Sequence, residues 1–262
     1  MSSSPHFHDK RGLGRVALGG ALLGVLFGAH AALLLARAAP PQWCLYALSL
    51  TAFHFLEFAA TAQHQPADVS YDSFLLNHSP AYALAAAASW AEFWAEAWLA
   101  PWLKGWGAVP AAGLALVVGG QALRAVAMHT AGSNFTHLVA TEKRRGHALV
   151  TRGVYAWLRH PAYDGWAAWS LGTQLLLGNP LCAVAYAAAT WTFFAGRIPG
   201  EEEALLRFFG GAYAEYARAT RILIPGVFSP AAEVGVEEAE RMAAAGRAAK
   251  GRGAEGAGGT RR

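Results

Sequence analysis

Apolar residues run along this chain in long stretches, with polar residues gathered in short clusters between them. That spacing predicts membrane-crossing helices rather than amphipathic helices or strands. A bilayer core takes about 20 apolar residues per helix. Six stretches qualify: 13–36, 43–62, 81–99, 109–130, 166–177 and 181–196. The first carries no charge beyond its opening Arg15. The second holds His54 and Glu57, the third Glu92 and Glu96, the fourth Arg124. The last two are short and joined only by Gly178-Asn179-Pro180. That joint reads as a tight helical hairpin, because proline can open a helix but not continue one. The pattern therefore predicts an all-α, polytopic membrane protein with about six transmembrane helices.

Composition agrees. Of 262 residues, 55% are hydrophobic and 15% charged, where a soluble domain carries about 25% charge. Tryptophans 43, 98, 102, 106 and 166 stand near stretch ends, where interfacial aromatics belong. Six spans put both termini on one side, and 18 of the 21 Lys and Arg residues then share that side. Only Arg37 and Lys104 face away, with Arg124 inside a span. The asymmetry predicts cytosolic termini and a cytosolic 132–160 loop, and excludes a soluble helical protein. The N-terminal stretch is long enough to span and shows no cleavage site of the signal-peptide kind.

Residues 1–231 form one membrane-embedded domain on this reading. Residues 232–262, rich in Ala, Gly, Arg and Glu, read as a disordered basic tail that could touch anionic lipid. Cys44 and Cys182 lie in apolar runs as small buried residues, and neither they nor the histidines have metal-ligand spacing. "GLGRVALGGALLG" opens no βαβ unit and is not a nucleotide loop; Gly20 and Gly24 read as small-residue helix packing. Nothing points to nucleic acid.

Ionisable residues inside membrane helices default to functional or paired roles. Glu92 and Glu96 stand four apart on one helix face and would suit a proton relay. The favoured arrangement is structural: Arg124 pairs with Glu57 or Glu92 and locks the bundle, while Glu96 reaches the interface. His54 and His129 read as packing or hydrogen-bonding residues.

The cytosolic half is denser. "SNFTHLVATEKRRGHALVTRGVYAWLRHPAY", from Ser133 to Tyr163, precedes the hairpin, and "GEEEALLRFFGGAYAEY" follows it. Three clusters thus come to one membrane face: His137/His147, Arg159/His160, and Arg197 with Glu201, Glu202 and Glu203. Pro161 should force His160 out of helical geometry and turn it toward a site, with Trp166 marking the return to lipid. Glu201 shares a face with Arg197 if the helix continues across Pro199-Gly200. "FFGGAYAEYARATRILIP" reads as an interfacial helix with aromatic anchors.

"WCLYALSL", "DSFLLNHS", "AMHTAGSNFTH", "GVYAWLRHPAYDGW", "LGTQLLLGNPLCAVAYA" and "EEEALLRFFGGAYAEY" together resemble the isoprenylcysteine carboxyl methyltransferase family over positions 43–228. Arg-His-Pro alone is weak, since phospholipid methyltransferases and sterol reductases share similar C-terminal halves; "DSFLLNHS" and "AGSNF" beside it are specific. Family members often carry eight spans, so the first two are expected to be missing here.

The resemblance implies a cytosolic catalytic C-terminal half in an endoplasmic reticulum membrane enzyme. The implied reaction moves a methyl group from S-adenosylmethionine to the C-terminal carboxylate of a farnesylated or geranylgeranylated cysteine in CaaX proteins of the small GTPase type. It implies a cofactor site of Ala140, His147, Ala148, Leu149, Val150, Tyr155, His160, Pro161, Ala162, Tyr163 and Glu201. Ala140 stands where glutamine is usual, which leaves a backbone contact there. Arg197 would bind substrate and act with Glu201 and Arg159 in catalysis. No metal is implied. The prenyl chain would enter laterally, beside spans 43–62 and 109–130. The competing readings are a membrane phospholipid N-methyltransferase, a sterol-reductase-like enzyme, and a non-enzymatic lipid-binding scaffold.

Overall fold

The computed structural model describes residues 12–76, 79–140, 142–143 and 146–258, with side chains as far as 248. Lys10, Arg11, Arg144, Arg145, Arg261 and Arg262, which enter the charge asymmetry, lie outside the described residues, as do Asn77 and His78 of "DSFLLNHS". Nine helices follow in order among the described residues: α1 (Leu13–Leu35), α2 (Pro41–His64), α3 (Pro80–Leu99), α4 (Ala108–Ala131), α5 (Pro161–Leu177), α6 (Pro180–Phe209), α7 (Gly211–Ala219), α8 (Pro230–Glu233) and α9 (Val236–Gly258).

Proline opens five of them, α2, α3, α5, α6 and α8. At a first helical position its missing N–H is no loss and its fixed φ suits the helix. Other caps come from distant side chains. Glu92 of α3 accepts hydrogen bonds from the Leu181 and Cys182 N–H groups at 2.7 Å each, which caps α6. Gly178 ends α5 in the left-handed region (φ 64°), and the Asn179 amide donates to the Ser89 carbonyl at 2.9 Å. The Gly-Asn-Pro joint is a tight hairpin. Lys104 closes it, donating to Glu96 at 2.7 Å and to the Gly178 carbonyl at 2.8 Å. Both α3 glutamates are thus structural.

α1, α2, α4 and α6 are long and apolar enough to cross a membrane by length and composition. α3 carries its two glutamates, and α5 has only 17 residues, about 26 Å at 1.5 Å each against a core of about 30 Å. α6, with 30 residues, exceeds that thickness and carries Glu201–Glu203 past it. Pro199 lies inside α6 without ending it.

α4 and α5 cross on glycines. A Cβ on Gly113 would meet the Leu176 backbone N at 2.2 Å, one on Gly120 the Gly165 carbonyl O at 2.5 Å, and one on Gly165 the Arg124 N at 2.7 Å. Only hydrogen fits at such a seam. Gly20 and Gly24 do not play this part: the nearest atom to Gly20 is 4.0 Å away, and Gly24 meets nothing within 4 Å. The α1 contact is made one residue earlier, by Gly19 against Phe74 and Tyr71.

Arg124 of α4 grips Glu57 of α2 with two donors, Nε at 2.5 Å and Nη2 at 2.7 Å, and its Nη1 donates to the Ala162 carbonyl at 3.1 Å. Tyr46, Phe53, Phe93, Val117, Trp169, Leu176 and Leu177 form the apolar core beside this pair. His54 meets the Phe74 carbonyl at 2.7 Å and His129 meets His64 at 2.8 Å. Cys44 and Cys182 are buried and free.

A second core, of Leu206, Tyr213, Ala214, Ala217, Ala231 and Ala239, joins the end of α6 to α7, α8 and α9. Where a disordered tail from residue 232 was expected, residues 236–258 are helical, and those past 258 lie outside the described residues. α9 begins at Val236 and buries Ala239 and Ala243. Alanines four apart make a narrow apolar stripe that suits helix contact, although the composition is too polar to announce a core.

Candidate active site

Where the end of α4 and the start of α5 meet the end of α6 and α7, the chain forms a cleft, part of it open to solvent. One wall is built from residues of 131–140 and 147–150, another from the end of α6 with α7, and the floor from the residues around Pro161. Asn134 clamps the first wall, its Oδ1 accepting from the Ala148 N–H at 2.9 Å.

Pro161 sets the floor. His160 before it adopts φ −123°, ψ 53°, outside the helical region as a residue before proline should be. α5 then starts at Pro161 itself. Trp166 therefore lies inside α5, half-buried against Phe193 and Phe194. The exposed tryptophan here is Trp157, 77% accessible. The His160 ring stacks on Tyr163, with centroids 5.4 Å apart and planes 3° from parallel.

Because α6 is continuous across Pro199, Arg197 and Glu201 share a face. Both meet the Tyr163 hydroxyl, which accepts from Arg197 Nε at 2.9 Å and donates to Glu201 Oε2 at 2.5 Å. Arg197 Nη2 donates to the His137 carbonyl at 2.6 Å, and His137 Nε2 lies 2.8 Å from Glu57 Oε2. The membrane ion pair is thus tied through His137 to Arg197.

The three consecutive glutamates part company. Glu201 faces the cleft. Glu202 is fully buried: it meets His160 Nε2 at 3.2 Å, accepts from Ser229 Oγ at 2.5 Å and lies 3.6 Å from Arg159 Nη1. Glu203 is exposed beside Arg207.

Of the residues singled out in the sequence, Ala140, His147, Ala148, Leu149, Val150, Tyr155, Arg159, His160, Ala162, Tyr163 and Glu201 line the cleft. Pro161 does not line it; it is buried beneath as the first residue of α5. Arg197 stands just outside, against Tyr163 and Phe193 at 5.4 and 5.6 Å. Arg159, expected among catalytic groups, instead spends Nη1 on Ser229 at 2.8 Å.

Sequence reading missed Asn134, Phe135, Phe208, Phe209, Tyr213 and Tyr216 as lining residues. The "FFGGAYAEY" aromatics were expected to anchor in lipid. They turn inward because α6 breaks at Gly210 (φ 57°, ψ −135°) and α7 folds back. A side chain at Gly210 would strike the Glu240 carboxylate of α9 at 2.7 Å. Tyr216 donates to the Tyr155 carbonyl at 2.8 Å. The spacing of three between Tyr213 and Tyr216, one helix face, was the available signal. Burial, with Glu201 nearby, pushes the Tyr155 phenol above its ordinary range, so it is a neutral donor.

Helices able to cross a membrane, together with a cleft at one end lined by acid, arginine and aromatic groups, define a polytopic membrane enzyme. Residues 113–207 match the model of the isoprenylcysteine carboxyl methyltransferase (ICMT) family. The chain is 45% identical over 204 residues to the protein-S-isoprenylcysteine O-methyltransferase of Rattus norvegicus, covering 78% of this chain and 72% of that one. It is 40% identical over 215 residues to that of Saccharomyces cerevisiae, covering 78% and 87%. It superimposes on a solved structure of the eukaryotic intramembrane Ras methyltransferase ICMT with a TM-score of 0.78, at 44% identity, over 85% of this chain and 80% of that one. The chain belongs to the isoprenylcysteine carboxyl methyltransferase family.

Proposed function

We propose that this enzyme transfers a methyl group from S-adenosylmethionine to the C-terminal carboxylate of a prenylated cysteine. The observation that carries the reading is the Arg197–Tyr163–Glu201 array, which bridges the membrane-side approach and the cleft. The substrates are CaaX-processed proteins of the small GTPase type, bearing farnesyl or geranylgeranyl. The membrane is that of the endoplasmic reticulum, with α3 and α5 as shorter spans, six in all, and the termini in the cytosol.

The cleft suits the cofactor. Glu201 offers an acceptor for an ammonium or ribose hydroxyl, and the aromatic faces of Tyr155 and Tyr163 suit adenine or a sulfonium. The chemistry S-adenosylmethionine supplies when bound is an electrophilic methyl group. The rest falls to the protein. A carboxylate nucleophile is already ionised at neutral pH, so no strong general base is needed. The site must align the reacting atoms and strip water from the carboxylate. Arg197 stays charged beside lipid. Of its five N–H donors, one goes to Tyr163 and one to His137, which leaves three for the substrate. Fixed at two points, the guanidinium orients one carboxylate oxygen and leaves the other free to attack. A tighter grip would stabilise the ground state more than the transition state.

The test is transfer of labelled methyl to a farnesylated cysteine analogue in membranes containing the chain. Base-labile product is expected from the wild type. Arg197→Ala and Glu201→Gln should each lower turnover by roughly 100-fold or more, the scale of losing an electrostatic contact at a reacting centre. Full activity in both variants would remove the assigned roles.

A further inference from the structure

Tyr213 lines the cleft and is 1% exposed, and its hydroxyl makes no hydrogen bond to any described residue. Arg159, also on the wall and 9% exposed, commits Nη1 to Ser229 and Glu202, while its Nε is likewise without a partner among the described residues. Buried donors in folded proteins are almost always satisfied. Two unsatisfied donors carried by residues of one cleft lining, 54 positions apart in sequence, point to an acceptor on a ligand that enters between them.

The ligand group can be narrowed by charge. A guanidinium N–H and a phenol O–H together favour an anion, since charge-assisted hydrogen bonds are roughly twice as strong as neutral ones. Adenine and ribose are neutral, and the sulfonium and ammonium are cationic. The one anion in S-adenosylmethionine is the carboxylate of its amino-acid part. In that zwitterion the carboxylate sits next to the ammonium, and an acceptor, Glu201, lies within electrostatic range of Tyr213. Burial, with the charges of Glu202 and Glu201, holds the Tyr213 phenol well above its ordinary range and so keeps it a donor.

We propose that the Tyr213 hydroxyl and Arg159 Nε hold the α-carboxylate of the methyl donor, opposite Glu201 at its ammonium. This rests on the reading that the cleft binds S-adenosylmethionine. It gives Arg159 a binding role in place of the catalytic one, and it makes α7 part of the cofactor site.

The experiment is a binding titration of the purified full-length chain in lipid nanodiscs, with S-adenosylhomocysteine and with 5′-methylthioadenosine, which lacks the amino-acid part. The wild type should prefer S-adenosylhomocysteine. Tyr213→Phe keeps the packed ring and should weaken S-adenosylhomocysteine about tenfold or more, the scale of one hydrogen bond to a charged group. It should leave methylthioadenosine binding unchanged, which also reports an intact cleft. Arg159→Lys keeps a cation for Glu202, lacks the Nε donor, and should show the same selective loss. Undiminished S-adenosylhomocysteine affinity in both variants, equal loss of both ligands, or no wild-type preference overturns the proposal while the cofactor reading stands. A wild type that binds neither ligand overturns the cofactor reading itself.

Discussion

Single residues here take their roles from partners rather than from type. Glu57 and Arg124 were legible as an ion pair because a membrane helix tolerates neither alone. The pair does more than lock two helices. Arg124 also holds the Ala162 carbonyl at the cleft floor, and His137 ties Glu57 to the cleft wall. Glu57→Gln would leave the Arg124 charge buried and half-paired, at a cost of roughly 3–5 kcal/mol. The expected result is a lower thermal midpoint and poor recovery of monodisperse protein in detergent. Replacing both partners by apolar residues, Glu57→Leu with Arg124→Met, should recover much of the midpoint but not the cofactor affinity. Equal midpoints for Glu57→Gln and the wild type would show that the pair contributes nothing. The glutamate run at 201–203 could not be sorted in the same way, since three identical neighbours differ only in where α6 points them.

At the scale of elements, proline and glycine act oppositely. Pro180 announced the start of α6, because a proline's effect is local to the backbone; at Pro161 the expected break is present, but α5 starts there and not at Trp166. Glycines announced the wrong contact. "GLGRVALGG" looks like a packing motif, yet the close approach is between α4 and α5. Nothing local distinguishes a glycine that faces another helix from one that faces lipid. Gly165→Val would force backbone apart where only 2.7 Å is available. It should destabilise by about 3 kcal/mol or more, read as loss of folded protein after extraction. Gly20→Ala, with its nearest atom at 4.0 Å, should extract and melt like the wild type. The reverse ranking would place the seam at α1.

For the whole molecule, the second core outside the spans joins the cleft to the C-terminal helix. Leu206, Tyr213 and Ala239 share one cluster, and Glu240 accepts from the Gly211 N–H at 2.9 Å, where α7 begins. Truncation after residue 235 should therefore loosen α7, lower the thermal midpoint by several degrees and weaken S-adenosylhomocysteine binding severalfold. A passive tail predicts neither change, so unchanged binding in the truncated chain would restore that view.

The sequence by itself determined the all-α membrane class, the hairpin at Gly178-Asn179-Pro180 and the break at His160-Pro161. Each depends on short-range physics: transfer of apolar stretches from water, a ring that fixes φ, a clash before proline. The tertiary structure alone decided which glycines touch, which of three glutamates faces the cleft, that α6 carries Arg197 and Glu201 through Pro199 on one face, and that α7 and α9 fold back as a wall. Those outcomes depend on contacts between residues far apart in the chain, where burial of a partner's surface outweighs local preference, and no local pattern records the partner.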